Sequence, residues 1–209
     1  MATAELPDTR DRVIDAAVAA ILEEGFYRAS SNKIARRAGV SWGVIQYYFG
    51  TREQLMLAVV HRSAEGLLDA LDHAIITGDT FRARLESLAD TIWSHYRRPE
   101  FLAAAQIILN LSHDPTTADG TVAELSRLNS RVGRKWQRLV DQVVEPSRQQ
   151  PGLSGALFEI LRGVAIGAEL ADAFPGVRRT RAAGRDPERE VLVLALTSLF
   201  APNEPTGET

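Results

Sequence analysis

The stretch SSNKIARRAGVSWGVIQYYFGTR, Ser30 to Arg52, decides how this chain folds. It reads as two short helices joined by a tight turn and followed at once by an aromatic cluster. Ser30 stands where an N-cap belongs for a helix over 31–38, Ile34 and Ala35 face inward, and Gly39 ends the helix where a left-handed residue lets the chain reverse. Val40 plugs the turn. Ser41 caps a helix over 42–48, whose buried stripe is Ile45 and Phe49, four residues apart and so on one face. Between Gly25 and Arg52 lie five cations (Arg28, Lys33, Arg36, Arg37, Arg52) and no Asp or Glu, although the chain holds 27 acids among 209 residues and totals −3. An acidic chain with one short basic motif has localised its affinity for a polyanion.

Outward from this motif the helical period continues in both directions. Upstream, Val13, Ile14, Ala17, Val18, Ile21 and Leu22 form one stripe of a helix over 9–24, with Gly25 at its C-terminal cap. Downstream, Thr51-Arg-Glu-Gln54 reads as a capping box that opens a longer helix, whose apolar positions Leu55, Val59, Leu67, Leu71 and Ile75 carry it to Gly78. Further helices are expected near 80–97, 100–112, 120–145, 154–174 and 187–200, separated by His113 to Pro115, Pro146 to Gly152 and Pro175 to Asp186. Asp186 as N-cap, Pro187 at the first helical position and Glu188 behind it all favour a helix start. No segment alternates like a strand. The expected fold is all-α, about nine helices, with a three-helix DNA-binding domain over 1–52, a larger helical domain over 53–201 and a flexible tail over 202–209.

Bulk composition is that of a globular protein, 45% hydrophobic and 24% charged. There is no cysteine, which excludes disulfides, thiolate metal sites and a Cys nucleophile. No apolar run approaches the roughly 18 residues of a membrane span, and the start lacks an apolar signal core, so a cytoplasmic location and no membrane partner are expected. Catalytic constellations are also lacking. His61 with Glu65 and Asp69 with His73 are each four apart on one helix, but no third ligand or HExxH pattern joins them, and solvated helix pairs are the expected outcome. His95 and His113 have no nucleophile arrangement around them. No enzyme activity, metal or cofactor is expected.

The chemistry of the motif follows from groove geometry. An α-helix fits the major groove of B-DNA, and the N-terminal residues of a recognition helix meet the base edges. With Ile45 and Phe49 turned inward, Trp42, Gly43, Val44, Gln46 and Tyr47 remain to face a groove. Gly43 removes bulk, Gln46 offers a bidentate amide to adenine, and Val44 or Trp42 can touch a thymine methyl. Ser30, Ser31, Lys33, Arg36, Ser41, Tyr47, Tyr48 and Arg52 are the kinds of group that hold phosphates.

These residues resemble the tetracycline-repressor (TetR) family of bacterial transcription regulators, whose N-terminal pattern looks like IA..AGVS.G..Y.YF...E.L. Ile34-Ala35, Ala38-Gly39-Val40-Ser41, Gly43, Tyr48-Phe49, Glu53 and Leu55 match it, over about residues 10–60. The resemblance implies that the second and third helices bind a double-stranded DNA operator and that the remaining helices bind a small-molecule effector and form a homodimer. Trp42 and Gln46 depart from the pattern, where many members carry Lys and Tyr, so an operator preference cannot be borrowed from a relative.

One recognition helix reads only a few base pairs, and a dimer must set two of them about 34 to 36 Å apart or a multiple of that. The expected dimer surface lies on the last two helices, at Leu157, Leu161, Val164, Ala168, Val191, Leu194 and Leu199, with Gly155, Gly163 and Gly167 permitting close approach. Trp93, Tyr96, Phe101, Ile108, Asn110, Leu111 and Trp136 are the candidates for an effector pocket, whose usual character is apolar lining with few polar groups. A further reading keeps the fold and the DNA but has no small effector, and a filled larger domain would favour it.

Overall fold

Each apolar period becomes a helix in the computed structural model, which describes residues 9–144, 152–171 and 186–200. Among the described residues the elements are α1 (Thr9–Glu24), α2 (Ser31–Ala38), α3 (Trp42–Phe49), α4 (Arg52–His73), α5 (Phe81–Tyr96), α6 (Pro99–His113), α7 (Asp119–Val143), α8 (Leu153–Ala171) and α9 (Pro187–Phe200), with no strand. The expected tail over 202–209, the end of the eighth helix at 172–174 and most of the junctions 146–152 and 175–186 lie outside the described residues.

Helix ends follow local chemistry. The Gly39 backbone is left-handed, at φ 67°, and its N–H bonds back to the Ala35 and Arg36 carbonyls while the Val40 N–H reaches Ala35 O at 3.0 Å. These bonds satisfy carbonyls that the last turn leaves open, and a β-carbon would be strained at that φ. Thr51 caps α4, its Oγ1 accepting from the Gln54 N–H at 3.1 Å. One expectation fails here: α4 ends at His73 and not at Gly78. Beyond it the backbone turns to α5, with the Thr77 N–H donating to Ser87 Oγ and that hydroxyl donating to the Ile75 carbonyl, each at 3.3 Å. Ile75 is therefore no part of a buried stripe; it is 78% exposed.

Packing gathers the described residues into two compact units. The first holds residues up to Gly66 and Arg98–Ser130, the second Leu67–Arg97 and those from Arg131 on. Helices α4 and α7 each contribute to both. The expected division after Arg52 follows the motif; by packing, the first half of α4, with α6 and the start of α7, completes the core beneath the three N-terminal helices.

In the first unit, Val13, Ile14, Ala17 and Ile21 of α1 pack with Ile34 of α2, Ile45 and Phe49 of α3, Leu55, Met56 and Val59 of α4 and Ile107 of α6. Burying one such aliphatic side chain contributes about 1.5–3 kcal/mol, so this cluster outweighs any polar contact at the surface above it. In the second unit α5 packs on α8 and α9, which pack on each other, through buried Leu85, Leu88, Ile92, Trp93, Leu157, Leu161, Val193 and Leu196. Trp136 lies against Phe158 at 5.1 Å between ring centroids and donates from Nε1 to the Ser154 carbonyl at 2.8 Å.

Candidate nucleic-acid interface

The short helix α3 is divided by its own period. Ile45 and Phe49 are buried, while Trp42 (51% exposed), Gly43, Gln46 and Tyr47 (84% exposed) face outward, with Val44 half-buried at the edge. Tyr47 and Tyr48 meet edge to face at 5.2 Å, which fixes the aromatic pair at the end of the helix. A β-carbon on Gly43 would meet only Ser41 Oγ, at 3.7 Å. The space over this turn is thus open, which a close approach to base edges needs.

The two expected caps behave differently. Ser30 is extended, at φ −76° and ψ 154°, and its Oγ accepts from the Lys33 N–H at 3.4 Å. Ser41 has the same backbone conformation and its carbonyl accepts from the Val44 N–H at 3.1 Å, but its hydroxyl makes no capping bond. The side-chain cap expected of Ser41 is therefore absent, and the exposed hydroxyl stands beside the open helix start. Ser31 is half-buried in the first turn of α2.

The cations are less free than their spacing implies. Lys33 pairs with Glu24, and Arg37 pairs with Glu23 through two hydrogen bonds. Arg28 donates from Nε to the Glu24 carbonyl at 2.9 Å. Glu23 and Glu24 lie just upstream of the acid-free stretch, on the last turn of α1, and the packing of α1 on α2 carries them over the cations. The two glutamates immediately precede Gly25, so this signal is present in the sequence itself. Among the described residues Arg36, exposed on α2, has no acidic partner.

Arg52 is placed differently from a phosphate-gripping side chain. Its Nη2 donates to the Phe26 carbonyl at 2.5 Å, its Nε to the Ala29 carbonyl at 3.4 Å, and its guanidinium carbon lies 4.5 Å from the centre of the Phe26 ring. Burial lowers its pKa, opposed by the nearby Tyr27. Beside it, Glu53 accepts from the buried Thr121 hydroxyl.

The alternative metal pairs dissolve into surface contacts. His61 Nε2 lies 2.9 Å from Glu124, not at Glu65, and His73 lies 3.1 Å from Asp69 with both side chains exposed. Among the described residues no three His, Asp or Glu side chains are grouped to hold a metal. No described helix is long and apolar enough to cross a membrane.

The seven effector candidates do not share one unit. Trp93, Tyr96 and Trp136 are buried in the second, burial raising the Tyr96 phenol well above its ordinary pKa. Leu111 is core in the first unit, where Phe101 is half-buried, Ile108 is exposed, and Asn110 donates to the Gln106 carbonyl at 2.7 Å. The dimer candidates divide too. Leu157, Leu161 and Ala168 belong to the protomer's own core, which removes them from a docking face; Val164 is half-buried, and Val191, Leu194 and Leu199 are exposed. Ile160 and Leu170 of the same helix are exposed as well, since periodicity marks an apolar stripe without saying which side of the helix its own protomer covers.

Residues 13–59 match the model of the "Bacterial regulatory proteins, tetR family". Over 86 residues, 40% of this chain and 37% of the relative, the chain is 37% identical to the HTH-type transcriptional regulator BetI of Serratia proteamaculans. It is 34% identical over 82 residues to BetI of Rhizobium meliloti, covering 39% of this chain and 40% of that protein. The matches thus span about two fifths of these curated relatives. The fold is shared over nearly the whole chain with the fatty acid degradation regulator FadR of Bacillus halodurans, at a TM-score of 0.66 and 16% identity, covering 96% of this chain and 98% of that one. With the helix-turn-helix geometry in place, residues 13–59 form a domain of the kind found in the bacterial regulatory proteins of the tetR family.

Proposed function

We propose that this chain is a repressor that binds a palindromic operator as a homodimer and is released by a small-molecule effector. The observation that carries the reading is the division of α3, with two apolar anchors buried and an outer face of Trp42, Gly43, Gln46 and Tyr47 left uncovered. Major-groove readout needs such a face on a helix that can be approached closely. Gln46 would read adenine, Trp42 and Val44 thymine methyls, and Ser30, Ser31, Ser41, Arg36, Tyr47 and Tyr48 would hold phosphates, Lys33 joining them only if Glu24 releases it.

Dimerisation is supported by two exposed apolar stripes. On α8, Ile160, Gly163, Gly167 and Leu170 are all exposed and fall on one side of a 3.6-residue helix. On α9, Val191, Leu194, Ala195, Ser198 and Leu199 do the same. A β-carbon on Gly163 or Gly167 would meet nothing within 4 Å, so a partner helix could approach the bare backbone. An effector acts by preferring a conformation whose recognition helices are badly spaced, and it lowers DNA affinity by its differential binding and no more.

The effector-free reading has one observation in its favour. Trp93, Tyr96 and Trp136 are each at most 3% exposed, whereas a hole for a small molecule would leave its lining open to a water-sized sphere. Selection of bound duplexes from random DNA tests the main reading. An inverted repeat with half-sites about one helical turn apart or a multiple is expected; recovery of unrelated sequences would reject specific operator binding. Small molecules that dissociate the selected complex would decide against the effector-free form.

A further inference from the structure

Arg52 begins α4, three residues beyond the last residue of α3, yet its head group bonds to the loop between α1 and α2. The two carbonyls it takes are those of Phe26 and Ala29. Ala29 is fully buried and immediately precedes Ser30, whose Oγ caps α2. Phe26 is buried as well, and its ring packs under the same guanidinium. The loop is otherwise held by its own short bonds, Ala29 N–H to Gly25 O at 3.1 Å and Ser30 N–H to Arg28 O at 2.9 Å. These bonds shape the loop but do not fix it against another helix.

We propose that Arg52 is a positioning residue: it latches the α1–α2 loop to the α3–α4 junction and so sets the start of α2 against α3, instead of gripping a phosphate itself. This rests on the DNA-binding reading. The physical case is the fork of the guanidinium, which reaches two carbonyls from one plane while stacking on an aromatic face. Both carbonyls belong to buried residues, and Ala29 O would lose its Arg52 donor if the side chain turned outward to DNA. A lysine ammonium can meet one carbonyl as a point charge but cannot reproduce the fork. Because Ser30, the N-cap of α2, directly follows Ala29, slack at this point moves the helix start that faces the backbone of a duplex. Loss of the latch lowers the fraction of molecules with both helices in register, and apparent affinity falls by that same fraction at every salt concentration.

The test uses the full chain and a duplex recovered by selection with the wild-type protein. Dissociation constants are measured across a salt series for wild type, Arg52→Lys, Arg52→Ala, Phe26→Leu, the Arg52→Lys, Phe26→Leu double variant and Arg36→Ala. Arg52→Lys keeps the positive charge, so a phosphate contact would survive it, whereas a latch would not. About a tenfold loss of affinity is expected for Arg52→Lys with the salt slope unchanged, a similar loss for Phe26→Leu, and less than the product of the two losses for the double variant. Arg36→Ala, by contrast, should flatten the slope by about one unit. An Arg52→Lys protein with wild-type affinity, together with an Arg52→Ala slope that is flatter by about one unit, would overturn the latch. A second arm needs no DNA: amide hydrogen exchange at Ala29 to Lys33 should quicken in Arg52→Lys, and unchanged exchange there would refute the latch even if no duplex binds. Failure of the wild type to select any duplex would instead reject the DNA-binding reading.

Discussion

Glu23 grips Arg37 by two hydrogen bonds, Oε2 accepting from Nη1 at 2.6 Å and Oε1 from Nη2 at 2.5 Å, so the last turn of α1 holds a cation on the last turn of α2. A cation so held is not free to meet a phosphate. Glu23→Gln removes the charge partner and releases Arg37 toward the polyanion. The salt slope of DNA binding should steepen by about one unit in this variant; a slope equal to wild type would leave Arg37 out of reach of the backbone.

The same pair carries a pH dependence. The hydrogen bond from Arg37 holds the Glu23 carboxyl below the ordinary glutamate range, and the bond from Lys135 likewise lowers Asp72 below the ordinary aspartate range. A carboxylate with a lowered folded-state pKa adds stability that is present above its unfolded pKa and is lost as pH falls through the folded one. Thermal midpoints should therefore drop below about pH 4.5, and the drop should be smaller in the Glu23→Gln, Asp72→Asn double variant. Both groups are exposed, so the difference will be modest. Parallel curves for the two proteins would show that other groups set the acid limit.

Gly43 separates stability from binding. Its added β-carbon meets Ser41 Oγ at an ordinary 3.7 Å, and helical glycine is about 0.5–1 kcal/mol worse than alanine. Gly43→Ala should therefore raise the urea midpoint slightly, while Gly43→Leu should keep its helical circular dichroism and lose specific DNA binding. Retained binding by Gly43→Leu would take this turn out of the groove.

The exposed stripes of α8 and α9 predict an assembly. Ile160→Glu combined with Leu194→Glu should convert a dimer to a monomer in sedimentation with the helical signal unchanged, since both side chains are exposed in the protomer. Leu161→Ala should behave oppositely, destabilising the fold by about 2–5 kcal/mol because it opens a cavity in the second unit. A wild type that sediments as a monomer would remove the docking face.

Trp136 joins α7 to the start of α8. Trp136→Phe keeps an apolar ring but leaves the Ser154 carbonyl without this donor, at a cost of about 1–3 kcal/mol. Equilibrium unfolding in urea measures the loss; a change under a few tenths would mean that another donor replaces the indole.

Period and punctuation were enough to draw α1, α2 and α3, because Val13 to Ile21, Gly25, Ser30 and Gly39 act on residues within a turn of themselves. The same local rules placed Pro187 at the start of α9 and failed at α4, where bonds to Ser87, ten and twelve residues away in the chain, end the helix before Ile75. The outer face of α3 was legible for the same reason as the helix: once Ile45 and Phe49 are inward, geometry leaves Trp42, Gly43, Gln46 and Tyr47 outward.

By itself, then, the sequence determined an all-α chain with a helix-turn-helix and a defined outer face, since hydrophobic period, caps and left-handed glycines are short-range properties. Tertiary structure alone decided which charges remain available and which apolar side chains stay uncovered. Glu23 and Glu24 reach Arg37 and Lys33 only because α1 packs on α2, and Arg52 reaches Phe26 and Ala29 only because three helices bring its loop within 3.4 Å. Ion pairing and burial depend on distance in space, and spacing along a chain sets that distance only within a single element.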